Sequence, residues 1–118
     1  MARGILVVFS NPSAPEREGE FNRWYSDVHL PEFLRVPGVR AARRFALSES
    51  QMRQPPGDPL GGRRFLAAYE LEADDFGVLR DRIIETMPER TQSDALGRDP
   101  LPITFLFEQI GETQYEES

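Results

Sequence analysis

Phe21, Trp24, Tyr25 and Val28 stand at i, i+3, i+4 and i+7, the apolar stripe of a helix lying on a core. Pro31 follows and has no amide hydrogen to continue the ladder, so the helix is expected to kink or stop near His29. The stretch "PEFLRVPG" reads as one further helical turn, closed by Pro37-Gly38. From Val39 the period is two: Val39, Ala41, Arg43, Phe45 and Leu47 alternate with Arg40, Ala42, Arg44 and Ala46, which predicts a strand. This abrupt change of period forces a layered architecture, a helix feeding a sheet.

The flanking segments extend the pattern. "GILVVFS", 4–10, is a β-branched block that ends at the turn cluster "NPSAP", where Ser13-Ala14-Pro15-Glu16 fits a capping box and predicts a helix beginning just after Ser13. A linker rich in Pro and Gly, 48–62, is longer than a hairpin needs and is a candidate lid. A third strand is read over 63–72. Asp74 is placed to cap a second helix with the stripe Phe76, Leu79, Ile83, Ile84 and Met87. The last strand is "ITFLFEQI", 103–110, and the acidic tail 111–118 is expected to fray. Residues 1–118 are thus expected to form one domain of order β-α-β-β-α-β, a ferredoxin-like α+β sandwich with two helices on one face of a four-stranded antiparallel sheet.

Two helices cover only one face of that sheet. Yet the first strand offers Ile5, Val7 and Phe9 on one side and Leu6 and Val8 on the other, and the last offers Ile103, Phe105 and Phe107 against Leu106 and Ile110. An uncovered apolar sheet face marks an interface, and a two-fold pairing with a second copy is the simplest solution. A homodimeric α/β barrel is expected.

Composition removes several functional classes. The chain has no cysteine, which excludes disulfides, thiolate metal sites and cysteine nucleophiles. All 14 basic residues are arginine, so no lysine forms a Schiff base or holds a phosphate loop. The net charge of −6 argues against a nucleic-acid partner, whose affinity comes from positive charge. Strand three, "RRFLAAYE", also matches poorly the pattern of stacking aromatics that an RNA-binding module of this topology needs. The apolar run "ILVVF" is too short to span a bilayer, and a cytoplasmic location without membrane attachment is expected. With one histidine and no clustered carboxylates, no metal site and no cofactor are expected.

His29, the single histidine, therefore carries most of the available chemistry. It is either a helix-end residue satisfying an orphan carbonyl, or a general base facing a cavity, its unperturbed pKa near ~6.5 suiting abstraction of an acidic C–H or phenolic proton. Tyr25, at i−4, is on the same helical face and is its candidate partner. Trp24, like Phe21, is either core or a cavity wall; Asn22 either orients a substrate carbonyl or is solvated. Arg43, assigned to the helix side of its strand with Phe45, needs an anion, either Glu70, Glu72 or an acidic substrate group. Phe65 and Tyr69 share a face of the third strand and are candidate cavity walls.

The segment "EFNRWYSDVHLPEFLRVPGVRAARRF", 20–45, resembles the signature of the dimeric α/β-barrel superfamily, in particular its EthD-like branch. The matching residues are Trp24, Tyr25, His29, Leu30 and Pro31, then Pro37-Gly38, then Arg43, Arg44 and Phe45. The resemblance implies a ferredoxin-like fold that dimerises through its sheets. The superfamily holds cofactor-free monooxygenases, polyketide cyclases, lactone isomerases and haem enzymes, and fold alone does not choose among them. A haem reading is set aside because the His-Leu-Pro ending is the pattern of the EthD-like branch. Two expectations follow: a cofactor-independent enzyme that deprotonates an aromatic, polyketide-like or lactone substrate with His29 and Tyr25, or a non-catalytic binding or accessory protein of a small-molecule pathway.

Overall fold

The computed structural model describes residues 1–117. Strand β1 is Ala2–Ser10. A helical segment follows: a 3-10 turn Pro15–Arg17, helix α1 Glu18–Trp24, a π turn Tyr25–His29 and helix α2 Leu30–Phe33. Strands β2 Val39–Ala46 and β3 Phe65–Ala73, helix α3 Phe76–Glu85, a 3-10 turn Met87–Glu89 and strand β4 Ile103–Glu108 complete the chain. The sheet runs β2-β3-β1-β4, every neighbouring pair antiparallel, so the βαββαβ order produces the ferredoxin-like α+β topology. Among the described residues, no helix is long and apolar enough to cross a membrane.

Both helical layers lie on one face. Phe21, Trp24, Tyr25 and Phe33 from the first, and Phe76 and Leu79 from α3, join Leu6, Ala67, Tyr69 and Leu71 of the sheet in one buried cluster. The opposite face is apolar and open: Ile5 pairs with Phe107, Val7 with Phe105, and Phe45 with Leu66. The linker 48–62 is exposed almost throughout and has no helix or strand, and it lines no part of the cavity beside His29. It is therefore not placed as a lid.

The strand β2 begins at Val39 as the pattern predicts, but its side chains beyond Arg40 lie on the opposite faces from those the alternation assigns. A bulge between Val39 and Ala41 sets two residues of β2 against one of β3, so Val39 pairs with Leu71 but Ala42 with Tyr69 and Arg44 with Ala67. Every side chain beyond the bulge changes face. Arg44 thus points to the helices, whereas Arg43 and Phe45 lie on the open face, the reverse of the simple alternation.

Two helix starts also differ from expectation. Ser13 makes no capping bond; its N–H donates to Ala95 O at 2.7 Å, beside the bridge between Pro12 and Leu96, so that residue belongs to a short β contact. The helical segment begins instead as a 3-10 turn at Pro15. Helix α3 is capped by Asp75 rather than Asp74, its Oδ1 accepting from Gly77 N at 2.8 Å and Val78 N at 3.1 Å.

Pro31 does not end the helix. The chain instead widens into a π turn, in which Leu30 N–H donates to Tyr25 O, five residues back. The wider turn accommodates a proline that has no N–H for the Asp27 carbonyl and whose ring would crowd it in a regular helix. The segment closes at Pro37-Gly38 as the sequence suggests. Gly38 has φ +107°, and a Cβ there would meet Leu79 Cδ1 at 2.9 Å, so both conformation and space call for glycine.

Candidate active site

The π turn faces a cavity of about 520 Å³ between α3 and the sheet, within the range of small-molecule pockets. Trp24, Tyr25 and His29 form one wall and Leu6, Val8 and Leu106 the sheet floor; Ile83 and Met87 extend the wall from α3. The lining is chiefly apolar.

His29 sits in an aromatic cage. Its ring stacks on Trp24 with centroids 4.8 Å apart and an interplanar angle of 29°, meets Tyr25 edge-on at 5.0 Å, and lies 5.7 Å from Phe33. Its Nδ1 is buried without a hydrogen-bond partner among the described residues. No orphan helix carbonyl satisfies the imidazole. Burial, seconded by the charge of Arg90 and opposed by Glu32, lowers its pKa to about 4, so the ring is neutral at pH 7.

The neighbours hold this wall in place. Trp24 Nε1 donates to Thr91 O at 3.1 Å, and both oxygens of Glu32 are occupied by Thr91, one accepting from its N–H at 2.7 Å and the other from its hydroxyl at 2.8 Å. Those bonds keep the Glu32 carboxyl below the usual range. Burial raises the Tyr25 phenol, softened by the Ser10 and Tyr69 hydroxyls and the Arg44 charge, so Tyr25 keeps its proton. Tyr69 is raised further, again first by burial.

Of the residues singled out from sequence, the structure brings Trp24, Tyr25 and His29 together on the cavity. Tyr69 and Phe65 do share the helix-facing side of β3, but they are core. Tyr69 stacks on Phe33 at 4.2 Å, and Phe65 meets Phe21 edge-on at 5.3 Å. Asn22 is bound by β2, its Oδ1 accepting from Arg44 Nη2 at 2.9 Å. Arg43 does find an acid, but on the open face, donating to Glu70 at 2.6 Å with Phe45 beside it. The bulge at Val39/Ala41 is why both residues leave the cavity side.

Sequence reasoning missed Arg90, which lines the cavity and lies over the Phe33 ring, its Cζ 4.7 Å from the centroid. No helical periodicity marks it, because α3 ends at Glu85 and Arg90, after the 3-10 turn Met87–Glu89, has an extended backbone.

The fold and this wall define a ferredoxin-like α+β protein with an apolar cavity beneath its helices and a neutral imidazole at its side. The chain is similar in fold to a crystal structure of an ethyl tert-butyl ether (EthD) family protein from Bacillus halodurans C-125, with TM-score 0.50, 13% identity, and coverage of 97% of this chain and 100% of that one. At that identity the likeness concerns the fold, which is the EthD-like one the segment 20–45 suggests. No family model and no curated protein matches the sequence.

Proposed function

We propose that the protein is a cofactor-independent enzyme that removes a proton from an aromatic, polyketide-like or lactone substrate held in the cavity. The observation that carries this reading is a neutral, hydrogen-bond-free imidazole lining an apolar cavity. A histidine that served only to cap the helix end would donate a ring N–H to a main-chain carbonyl. In the proposed step the substrate C–H bond breaks, the proton passes to His29, and the electron pair moves onto the conjugated carbonyl oxygen. The Tyr25 phenol, which keeps its proton, donates to that oxygen. An imidazole whose basicity is lowered by burial gains basicity as an anion forms beside it, which is the direction catalysis requires. Cyclisation or isomerisation follows from the same deprotonated intermediate.

Proton NMR in D₂O tests this with β-diketones, 2-tetralone and aryl lactones as probes. The protein is expected to accelerate deuterium uptake at the acidic carbon over buffer, and His29→Gln to abolish the acceleration. Probes that bind without exchange would favour the accessory-protein reading.

The open sheet face belongs to the same proposal. Two copies paired sheet to sheet would cover it, and the barrel so formed would fix the sheet that floors each cavity.

A further inference from the structure

The cavity holds a charge as well as a base. Arg90 is only 7% exposed. Its Nη1 donates to Thr86 Oγ1 and its Nη2 to Ile83 O, each at 2.9 Å, at the C-terminal end of α3. These contacts use two of the five N–H groups of a guanidinium, and Nε is buried with no partner among the described residues. The helix end contributes only about half a negative charge.

No carboxylate among the described residues supplies the rest. The ion pairs of the described residues belong to Arg3, Arg17, Arg43, Arg64 and Arg80. Glu32 and Glu89 are near enough to act on the charge of Arg90 but form no ion pair with it, and both Glu32 oxygens are engaged by Thr91. A guanidinium held this far from water is costly unless an anion meets it.

We propose, on the reading that this cavity is the ligand site, that its ligand is an organic anion, a carboxylate on an apolar aromatic-sized body, with the carboxylate held by Arg90 and the body between Leu6, Leu106 and Ile83. Arg90 then takes the anion-anchoring role for which the sequence pattern offered Arg43 as a candidate. The groups of the site divide the work: the guanidinium fixes the carboxylate, and the apolar floor takes the body of the ligand.

Isothermal titration calorimetry with 1-naphthoate and biphenyl-4-carboxylate, each against its own methyl ester, tests this. The acids are expected to bind the wild-type protein about tenfold more tightly than their esters, a preference that weakens as salt is raised. Arg90→Met should remove the preference, and Thr86→Val, which removes the hydroxyl that accepts from Arg90 and donates to Arg82 O but keeps the guanidinium, should retain it. Equal binding of acid and ester to the wild-type protein would overturn the inference without need of any variant. Acid preference with no deuterium exchange would sink the proton-abstraction reading alone, whereas failure of acid and ester alike to bind would sink both.

Discussion

Trp24 and His29 stack face to face although they are five residues apart. In a regular α-helix, with 3.6 residues per turn, such a pair would be separated by about 140° around the axis. The π turn Tyr25–His29 carries one more residue per turn and closes that angle, so the chain's only tryptophan and only histidine share a wall with Tyr25. Pro31 thus has an effect beyond interrupting a ladder: it favours the local winding that assembles the candidate site.

The caged imidazole makes stability depend on pH. His29 has a pKa of about 4 in the folded chain against the ordinary imidazole value of 6.5, so between those values the unfolded chain binds a proton that the folded chain does not. Stability therefore rises with pH across this window and is lost as pH falls from 6.5 towards 4. The loss attributable to this one group is on the order of 2 kcal/mol, allowing for its partial exposure. Urea unfolding of the wild-type protein and His29→Gln at a series of pH values checks this: the difference between the two curves should vary over that window and be flat above pH 7.

The layered fold was legible because its signals are local. The stripe at Phe21, Trp24, Tyr25 and Val28, the Pro37-Gly38 turn and the two-sided apolar strands each report their own element. What escaped was set by pairing between elements. A bulge at Arg40 is invisible to a period-two count, because which residue is extra depends on the register against β3, and one residue of slip exchanged Arg43 and Phe45 for Arg44. Arg90 escaped for a related reason: its role comes from lying over Phe33, a residue far away in sequence. The capping aspartate was missed by a single position, since Asp74 and Asp75 offer the same chemistry and only backbone geometry distinguishes them.

That last ambiguity gives a clean comparison. Asp75 satisfies two otherwise orphan N–H groups at the start of α3. Asp75→Ala should cost about 1 kcal/mol, whereas Asp74→Ala should lie within about 0.5 kcal/mol of the wild type. Chemical denaturation of the two variants measures the difference directly.

The neighbouring arginines of β2 make a second matched pair. Arg44 lies over the rings of Phe21, Tyr25 and Phe65 and bonds to Asn22, so it ties β2 to the first helix. Arg43 forms an exposed ion pair with Glu70. Arg44→Ala should destabilise by about 2 kcal/mol through lost packing and an unsatisfied Asn22, while Arg43→Ala should cost between about 0 and 1 kcal/mol. Thermal unfolding at fixed pH separates the two, and equal effects would contradict the register of β2.

The open sheet face allows a test that a fold-breaking substitution would not. Phe105 is 53% exposed and has Val7 as its cross-strand partner, on the side away from both helices. An aspartate there would meet mostly water in a lone chain, at little cost to folding. In a sheet-to-sheet pair the same carboxylate would be buried against apolar side chains of the second copy, with no arginine of this chain placed opposite it by necessity, and desolvation would oppose association strongly. Phe105→Asp is therefore expected to keep the wild-type circular dichroism spectrum and to sediment at the 13.5 kDa chain mass, with the wild-type protein at twice that value. A wild-type protein that sediments as a folded single chain at micromolar concentration would leave Phe45, Phe105 and Phe107 uncovered in solution, and the paired barrel would have to be abandoned.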